Sequence, residues 1–265
     1  MGIIVWHKSE DENMKRRGFL PLWVAVLLAC LTGCGATGEK TGSLALIYGI
    51  LAGLSALLLL AYILIRRKKE IWFVLLFSSV LVVNVGYFLL AVSQNLSQAL
   101  MANRVAYLGS VFLPVSMLMI IARVCKCRYG RWLPGVLLGL GVLVFFVAAS
   151  PGYLTIYYKE VSFEIVNGVA MLKKVYGSWH ILYLFYLLGY FGAMVTVILR
   201  SILQRRIRSA ANAVVLAAAV FVNIGVWLIE QLTKIDFEIL SVSYIISELF
   251  LLALSYVMDE NEKLQ

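Results

Sequence analysis

The side chains that could do chemistry in this chain are polar residues set inside long apolar runs. In the last run, Ser241, Tyr244 and Glu248 recur every three or four residues, so they share one face of a helix. The preceding run repeats that spacing with Asn223, Trp227 and Glu230. The link between the two runs is short, which makes them antiparallel neighbours whose polar faces can meet. Polar groups at membrane depth are costly, so these residues are functional candidates. The alternative is that they form interhelical hydrogen bonds that hold the bundle together, which is the interpretation we favour for Asn223 and for Asn84 of the second run.

Catalytic and metal-binding motifs are absent from the sequence. Its two histidines, His7 and His180, belong to no H-E-x-x-H motif, and no G-x-S-x-G, P-loop or dinucleotide fingerprint occurs. Cys125 and Cys127 form a lone C-x-C, whereas structural zinc takes four ligands. We therefore expect no catalytic residue, no metal, no cofactor and no enzymatic activity.

The composition shows what positions these residues. Of the 265 residues, 62% are hydrophobic and 14% are charged, whereas soluble domains carry about 25% charged residues. Apolar runs of at least about 18 residues mark membrane-spanning helices. Such runs predict an all-α membrane protein, a seven-transmembrane helix bundle with helices at about 44–65, 71–93, 104–124, 132–149, 179–203, 209–232 and 235–257.

The net charge of +9 is concentrated in alternate loops. Basic residues follow the first run at 66–69, the third run at 126–131 and the fifth run at 200–208. Cytoplasmic loops carry an excess of Lys and Arg, so the bundle is expected to have its N-terminus outside and its C-terminus inside. The charge thus indicates a cytoplasmic membrane and a lipid-bilayer environment, and no nucleic acid partner.

Residues 1–34 look like a leader preceding a bundle at 35–265. A basic segment after Met14 and a short apolar stretch have the form of a signal peptide. The tetrapeptide Leu31–Cys34, LTGC, resembles the lipobox of bacterial lipoproteins, which implies lipid attachment at Cys34. The alternative is an uncleaved helix. The first thirteen residues do not fit a signal peptide, and a start codon assigned too early would explain them.

One loop, at 150–178, is long enough to form structure of its own. Polar and apolar residues alternate around Val161–Ile165, and Asn167-Gly168 is a strong hairpin turn signal. We expect an extracellular β-hairpin between the fourth and fifth helices. It either only closes the mouth of the bundle or helps to form a ligand site.

Depth along the helices separates the candidate residues. Several polar and aromatic residues cluster near the expected outer surface, which predicts an outward-facing ligand pocket. Glu248 lies near or just beyond the middle of the bilayer, and we expect it to transmit a signal through the last helix. The expected pocket residues are Tyr87, Arg104, Tyr107, His180, Tyr183, Trp227, Glu230, Glu238 and Tyr244.

Two segments resemble a known family. They are "YLGSVFLP", Tyr107–Pro114, and the outer "SPGYLTIYY…NG" stretch that runs into "GSWH", Gly177–His180. They are similar to the N-terminal seven-transmembrane sensor region of bacterial histidine kinases, over about residues 44–257. The positions that match the family are Tyr107, Leu108, Gly109, Leu113, Pro114 and Pro151. Family members often have a histidine soon after the loop proline, where this chain has Gly152 and Tyr153.

The resemblance implies a sensor or signal-input module that binds an unknown extracellular or membrane-soluble ligand. Few residues follow the last run, so we expect no kinase in this chain and a cytoplasmic kinase or other transmitter acting in trans. A small multipass transporter or permease is the alternative, although no repeat of paired broken helices is present. A membrane enzyme fits less well.

Overall fold

The computed structural model describes residues 43–65, 70–166, 168–204, 210–232 and 240–263. Within these ranges the chain forms seven helices and one two-stranded sheet. The expected leader, with Cys34, lies outside the described residues. The strands β1 (Tyr158–Val166) and β2 (Val169–Tyr176) lie between α4 and α5. The helices are α1 (Ser43–Ile65), α2 (Ile71–Ala91), α3 (Leu96–Val124), α4 (Leu133–Ala148), α5 (His180–Leu203), α6 (Ala210–Leu232) and α7 (Leu240–Lys263).

Four helices in the described part of the chain are long and apolar enough to cross a membrane. They are α2, α3 and α5 together with the segment Ala45–Leu64 of α1. Leu133–Ala148 and Val242–Ala253 are shorter apolar helices. The expected helical membrane protein is therefore confirmed, whereas seven spans and their orientation stay predictions.

Two helices extend beyond the apolar runs that predicted them. α3 begins at Leu96 rather than near 104, because Asn95 caps it by accepting a hydrogen bond from the Gln98 N–H at 3.0 Å. α7 continues to Lys263 rather than ending near 257. Its last residues are mostly acidic or basic, and Glu and Lys favour helix without being apolar. Hydropathy thus located the membrane segments but not the helix ends.

Close packing between α2 and α3 forms the centre of the bundle. Gly86 of α2 lies against the backbone of Ala106, and Gly109 of α3 lies against the carbonyl oxygen of Ser79. A Cβ atom at either glycine would collide with that backbone. The apolar core extends from this contact through the buried side chains of Phe77, Val80, Met117 and Ile121.

The predicted β-hairpin is confirmed. β1 and β2 pair antiparallel from Val166↔Val169 to Tyr158↔Tyr176, with an irregularity between Tyr158 and Glu160. Gly168 adopts φ +77° at the turn, a backbone conformation that glycine adopts at no steric cost. Asn167, the other residue of the predicted turn, lies outside the described residues.

The two ends of the bundle differ. At one end Arg123, the last-turn residue of α3, pairs with Glu70 at the start of α2, with 3.1 Å between Nη2 and Oε1. At the other end the hairpin packs on the bundle: Val169 lies in an apolar cluster with Ala91, and Leu172 in a second one with Ala99 and Leu100. The hairpin therefore lies at the end opposite the Glu70–Arg123 ion pair.

Candidate functional site

Tyrosine hydroxyl groups join the hairpin to α3. The Tyr157 hydroxyl donates to the Tyr107 hydroxyl oxygen at 3.1 Å, and the hydroxyls of Tyr107 and Tyr158 are 3.0 Å apart. Asn103, one turn before Tyr107 on α3, donates from Nδ2 to the Tyr158 hydroxyl at 3.4 Å. Two consecutive residues at the start of the hairpin are thus bonded to one face of α3.

The rings of these tyrosines pack edge to face. Tyr107 meets Tyr157 with ring centroids 5.5 Å apart at 88°, and Tyr183 of α5 with centroids 5.4 Å apart at 87°. Such T-shaped pairs are favourable because the positive edge of one ring meets the negative face of the other. We call Tyr107, Tyr157, Tyr158 and Tyr183 the tyrosine cluster. It connects the hairpin with both α3 and α5.

Burial keeps the Tyr157 phenol neutral. The side chains of Tyr157 and Tyr158 are almost fully buried. Burial, and after it the neighbouring phenols of Tyr158 and Tyr183, raise the pKa of Tyr157 far above its ordinary value. Its hydroxyl therefore remains a hydrogen-bond donor throughout the physiological pH range.

His180, the first residue of α5, borders the tyrosine cluster. Its ring stacks on Tyr176 of β2 with centroids 3.8 Å apart, and it meets Tyr157 edge to face at 5.3 Å. Its Nδ1 atom is buried and has no hydrogen-bond partner among the described residues. Buried polar atoms are nearly always hydrogen-bonded, so an unpartnered one marks a place where a ligand group can bind.

Arg104 holds the turn that leads into the hairpin. Its Nε donates to the Ala149 carbonyl at 3.0 Å and its Nη2 to the Pro151 carbonyl at 2.7 Å. The guanidinium carbon also lies 4.5 Å from the centroid of the Tyr153 ring. These contacts place Arg104 beside the tyrosine cluster in a positioning role.

The structure brings only part of the predicted pocket together. Tyr107, Tyr183 and His180 meet at one site, with Arg104 beside it. Tyr87 instead packs on Tyr48, with ring centroids 6.0 Å apart, on the α1–α2 side. Tyr244 lies in the main apolar core of the bundle. The side chains of Trp227 and Glu230, and the whole of Glu238, lie outside the described part of the chain.

Sequence reasoning missed the site residues that the hairpin contributes. Tyr157, Tyr158 and Tyr176 were not expected in the pocket, although the loop was recognised as tyrosine-rich. The signal for Tyr157 and Tyr158 was the run "YLTIYYKE", which leads into the first strand. A hairpin that packs back on its own bundle brings such residues onto the helix ends.

The polar faces of α6 and α7 meet through Asn223, as predicted, but its partners on α7 are not the predicted residues. Asn223 of α6 donates from Nδ2 to the Ser247 hydroxyl at 2.5 Å and accepts from the Ser243 hydroxyl at 3.0 Å. Tyr244 and Glu248, which were predicted to form the polar face of α7, each follow one of these serines by one residue and so lie about 100° further round the helix. Glu248 is 1% exposed, and neither of its carboxyl oxygens has a partner among the described residues.

No set of metal ligands is found in the part of the chain that the structure describes, since no three His, Cys, Asp or Glu side chains cluster there. Cys125 and Cys127 are free thiols, and Cys125 is buried. The Cys127 sulfur lies 3.9 Å from the Ser201 hydroxyl.

A family model for the N-terminal 7TM region of histidine kinase matches residues 48–257. The match includes the hairpin, the tyrosine cluster and Glu248. No curated protein matches the chain.

Proposed function

The chain belongs to the family of N-terminal seven-transmembrane regions of histidine kinases, and from this premise we propose that it is a sensor for a small ligand. It is a multi-pass protein of the cytoplasmic membrane. In this proposal the ligand binds between the hairpin and the helix ends beneath it, and the bundle passes the signal to a separate cytoplasmic kinase or other transmitter. The chain then acts as an input module and not as an enzyme.

We place the hairpin on the outer side of the membrane. Arg128 and Arg131, which are both exposed, lie between α3 and α4 at the end of the bundle that carries the Glu70–Arg123 pair. In the sequence, the segments 66–69 and 205–208, which follow α1 and α5, are also rich in basic residues. The positive-inside rule assigns that end to the cytoplasm, so the hairpin faces outward.

The observation that carries the proposal is the unpartnered Nδ1 of His180, whose ring meets the Tyr157 ring at the edge of the tyrosine cluster. A ligand in this place would meet aromatic rings, neutral hydroxyl groups and one free imidazole nitrogen. These groups suit a small, uncharged molecule that is largely apolar and carries at least one hydrogen-bonding group. Ligand binding would replace hydroxyl contacts between the hairpin and α3, and so separate the two.

A chain of packed helices provides a route across the membrane. α3 runs from Tyr107 to Arg123 at the opposite end and packs on α2, and α2 contacts α7, which carries Glu248 and continues to Lys263. A ligand shifts such a bundle between two packings only by its difference in affinity for them, typically about 1–3 kcal/mol. We propose Glu248 as the α7 residue that stabilises one packing.

A screen of small metabolites against the purified protein tests the ligand site. Compounds that raise the melting temperature of the wild type should have little effect on Tyr107→Phe or His180→Gln, and full effect on Tyr153→Phe, a control whose side chain is 79% exposed. Hits that bind all four proteins equally would place the ligand elsewhere. Uptake of a hit into proteoliposomes would favour a permease instead.

A further inference from the structure

Three buried oxygen atoms inside the bundle have no hydrogen-bond donor among the described residues. They are Oδ1 of Asn84 in α2 and both carboxyl oxygens of Glu248 in α7. Asn84 and Glu248 are 0% and 1% exposed. Glu248 is also the one carboxyl or basic side chain among the buried residues that the structure describes. A buried carboxylate is tolerated only when another group satisfies it.

Helix geometry directs Glu248 toward α1 and α2. α7 contacts α6, α1 and α2. Ser243 and Ser247 bond to Asn223, which defines the face of α7 that meets α6. Glu248 follows Ser247 by one residue, about 100° further round the helix. Because Glu248 is buried, we infer that α1 and α2 cover it.

Asn84 lies on one of those neighbours at a similar depth. α2 ends at Ala91 against the hairpin, and α5 begins after the hairpin at that end. The links between α5 and α6 and between α6 and α7 are short in sequence, so we infer that these helices run antiparallel and that α7 begins at the hairpin end as well. Asn84 precedes the end of α2 by seven residues and Glu248 follows the start of α7 by eight, or roughly 10 and 12 Å at 1.5 Å per residue.

Asn84 is held with its oxygen available. Its Nδ2 donates to the Ser55 hydroxyl of α1 at 2.6 Å, and Ser55 in turn donates to the Leu51 carbonyl at 2.9 Å. The amide donor is therefore in use, while Oδ1 is left as an acceptor. On this placement, α1, α2 and α7 would bring hydroxyl, amide and carboxyl oxygens to one region of the interior.

We propose that Asn84 and Glu248 form an intramembrane binding site for a monovalent alkali cation, with Na⁺ as the probe. Oxygen atoms are the ligands that hard cations prefer. A proton on one Glu248 oxygen would provide a single donor for the two remaining acceptors, whereas a cation can coordinate all three oxygens. With Glu248 ionised the site carries a single negative charge, so a monovalent ion neutralises it, and a divalent ion would leave a net charge in the membrane interior.

Such an ion would tie α7 to α1 and α2. This inference does not depend on the sensor function, because ion binding can be measured without any ligand or output. If the ion binds more tightly when α7 is packed on α1 and α2, it shifts the equilibrium toward that packing of α7, the helix that we propose for transmission.

The test is thermal unfolding of the purified protein at constant pH and ionic strength in NaCl, KCl or choline chloride. The wild type should unfold about 2–4 °C higher in an alkali salt than in choline chloride, since a ligand that binds only the folded state stabilises it. This difference should disappear in Glu248→Gln and in Asn84→Ala. Ser116→Ala is the matched control, because that hydroxyl is bonded within α3 to the Phe112 carbonyl at 2.8 Å, and it should keep the difference.

Equal melting temperatures in all three salts would overturn the proposal, as would a salt effect that both variants retain. A wild-type protein that responds to pH but not to the cation would show that Glu248 holds a proton instead. Should either variant fail to fold, binding of radioactive ²²Na⁺ to the wild type decides: saturable binding that KCl or excess NaCl displaces supports the site, and no saturable binding overturns it.

Discussion

The hydroxyl of Tyr157 donates to the hydroxyl of Tyr107 at 3.1 Å, and their rings meet at 88° with centroids 5.5 Å apart. This pair joins the start of the hairpin to the middle of a helix that crosses to the other end of the bundle. Any movement of the hairpin away from the bundle must break this contact. The pair is therefore where a ligand between hairpin and helix would act first.

Removal of either hydroxyl should loosen the hairpin. Tyr157→Phe should lower the free energy of unfolding by about 1 kcal/mol, the usual net value of one hydrogen bond. Tyr107→Phe should cost more, because its hydroxyl also lies 3.0 Å from that of Tyr158. A double-mutant cycle in denaturant measures the coupling between the two residues. Additive effects would show that the hydrogen bond contributes nothing, and Tyr153→Phe should leave stability unchanged.

The α2–α3 contact should not accept a single added methyl group. Gly109→Ala places Cβ against the Ser79 carbonyl and 2.6 Å from Cγ2 of Val83, so we expect a loss of about 1–3 kcal/mol from overpacking. Gly139→Ala in α4 is the matched control, since nothing lies within 4 Å of its Cβ. Thermal unfolding followed by size-exclusion chromatography compares them. Equal melting temperatures for the two variants would contradict the packing of α2 on α3.

Cysteine labelling of intact cells tests the orientation. An impermeant maleimide should modify Lys173→Cys on the hairpin and leave Arg128→Cys unmodified, because both side chains are exposed but lie at opposite ends. Burial raises the pKa of the Cys125 thiol, so less of it is thiolate at neutral pH and its background reaction is slow. Labelling of Arg128→Cys alone would reverse the proposed topology.

The hairpin and the apolar helices were predictable because their signals are local. Asn167-Gly168 and the alternation before it predict a hairpin without knowledge of any contact. The start of α3 was misplaced because hydropathy does not register a polar helical turn such as the one that contains Gln98. Its N-cap, Asn95, is a short-range signal, but it lies before the apolar run from which the helix was predicted.

The site itself depends on contacts between distant residues, and these were only partly predictable. Tyr107 and His180 were predicted to be close because both lie near the same end of their predicted helices, and packing into a bundle does not change that depth. Tyr157 and Tyr158 join them only because the hairpin packs back on α3, a contact that no spacing in the sequence encodes. Likewise, helical periodicity alone cannot tell that Asn223 bonds to Ser243 and Ser247 rather than to the stripe of Tyr244 and Glu248.

In the proposed mechanism, the hairpin and the far end of α7 are coupled. A distance measured by pulsed electron paramagnetic resonance tests this coupling most directly. Spin labels replace Arg128 and Lys263 in lipid nanodiscs, after the native cysteines have been changed to serine. Combining Tyr157→Phe with Tyr158→Phe removes hairpin contacts, and a coupling of about 1 kcal/mol should change the ratio of two distance populations about fivefold. Adding Glu248→Gln should suppress that change, and Tyr153→Phe should not produce it. An Arg128–Lys263 distance distribution that is identical with and without the hairpin hydroxyls would contradict the claim.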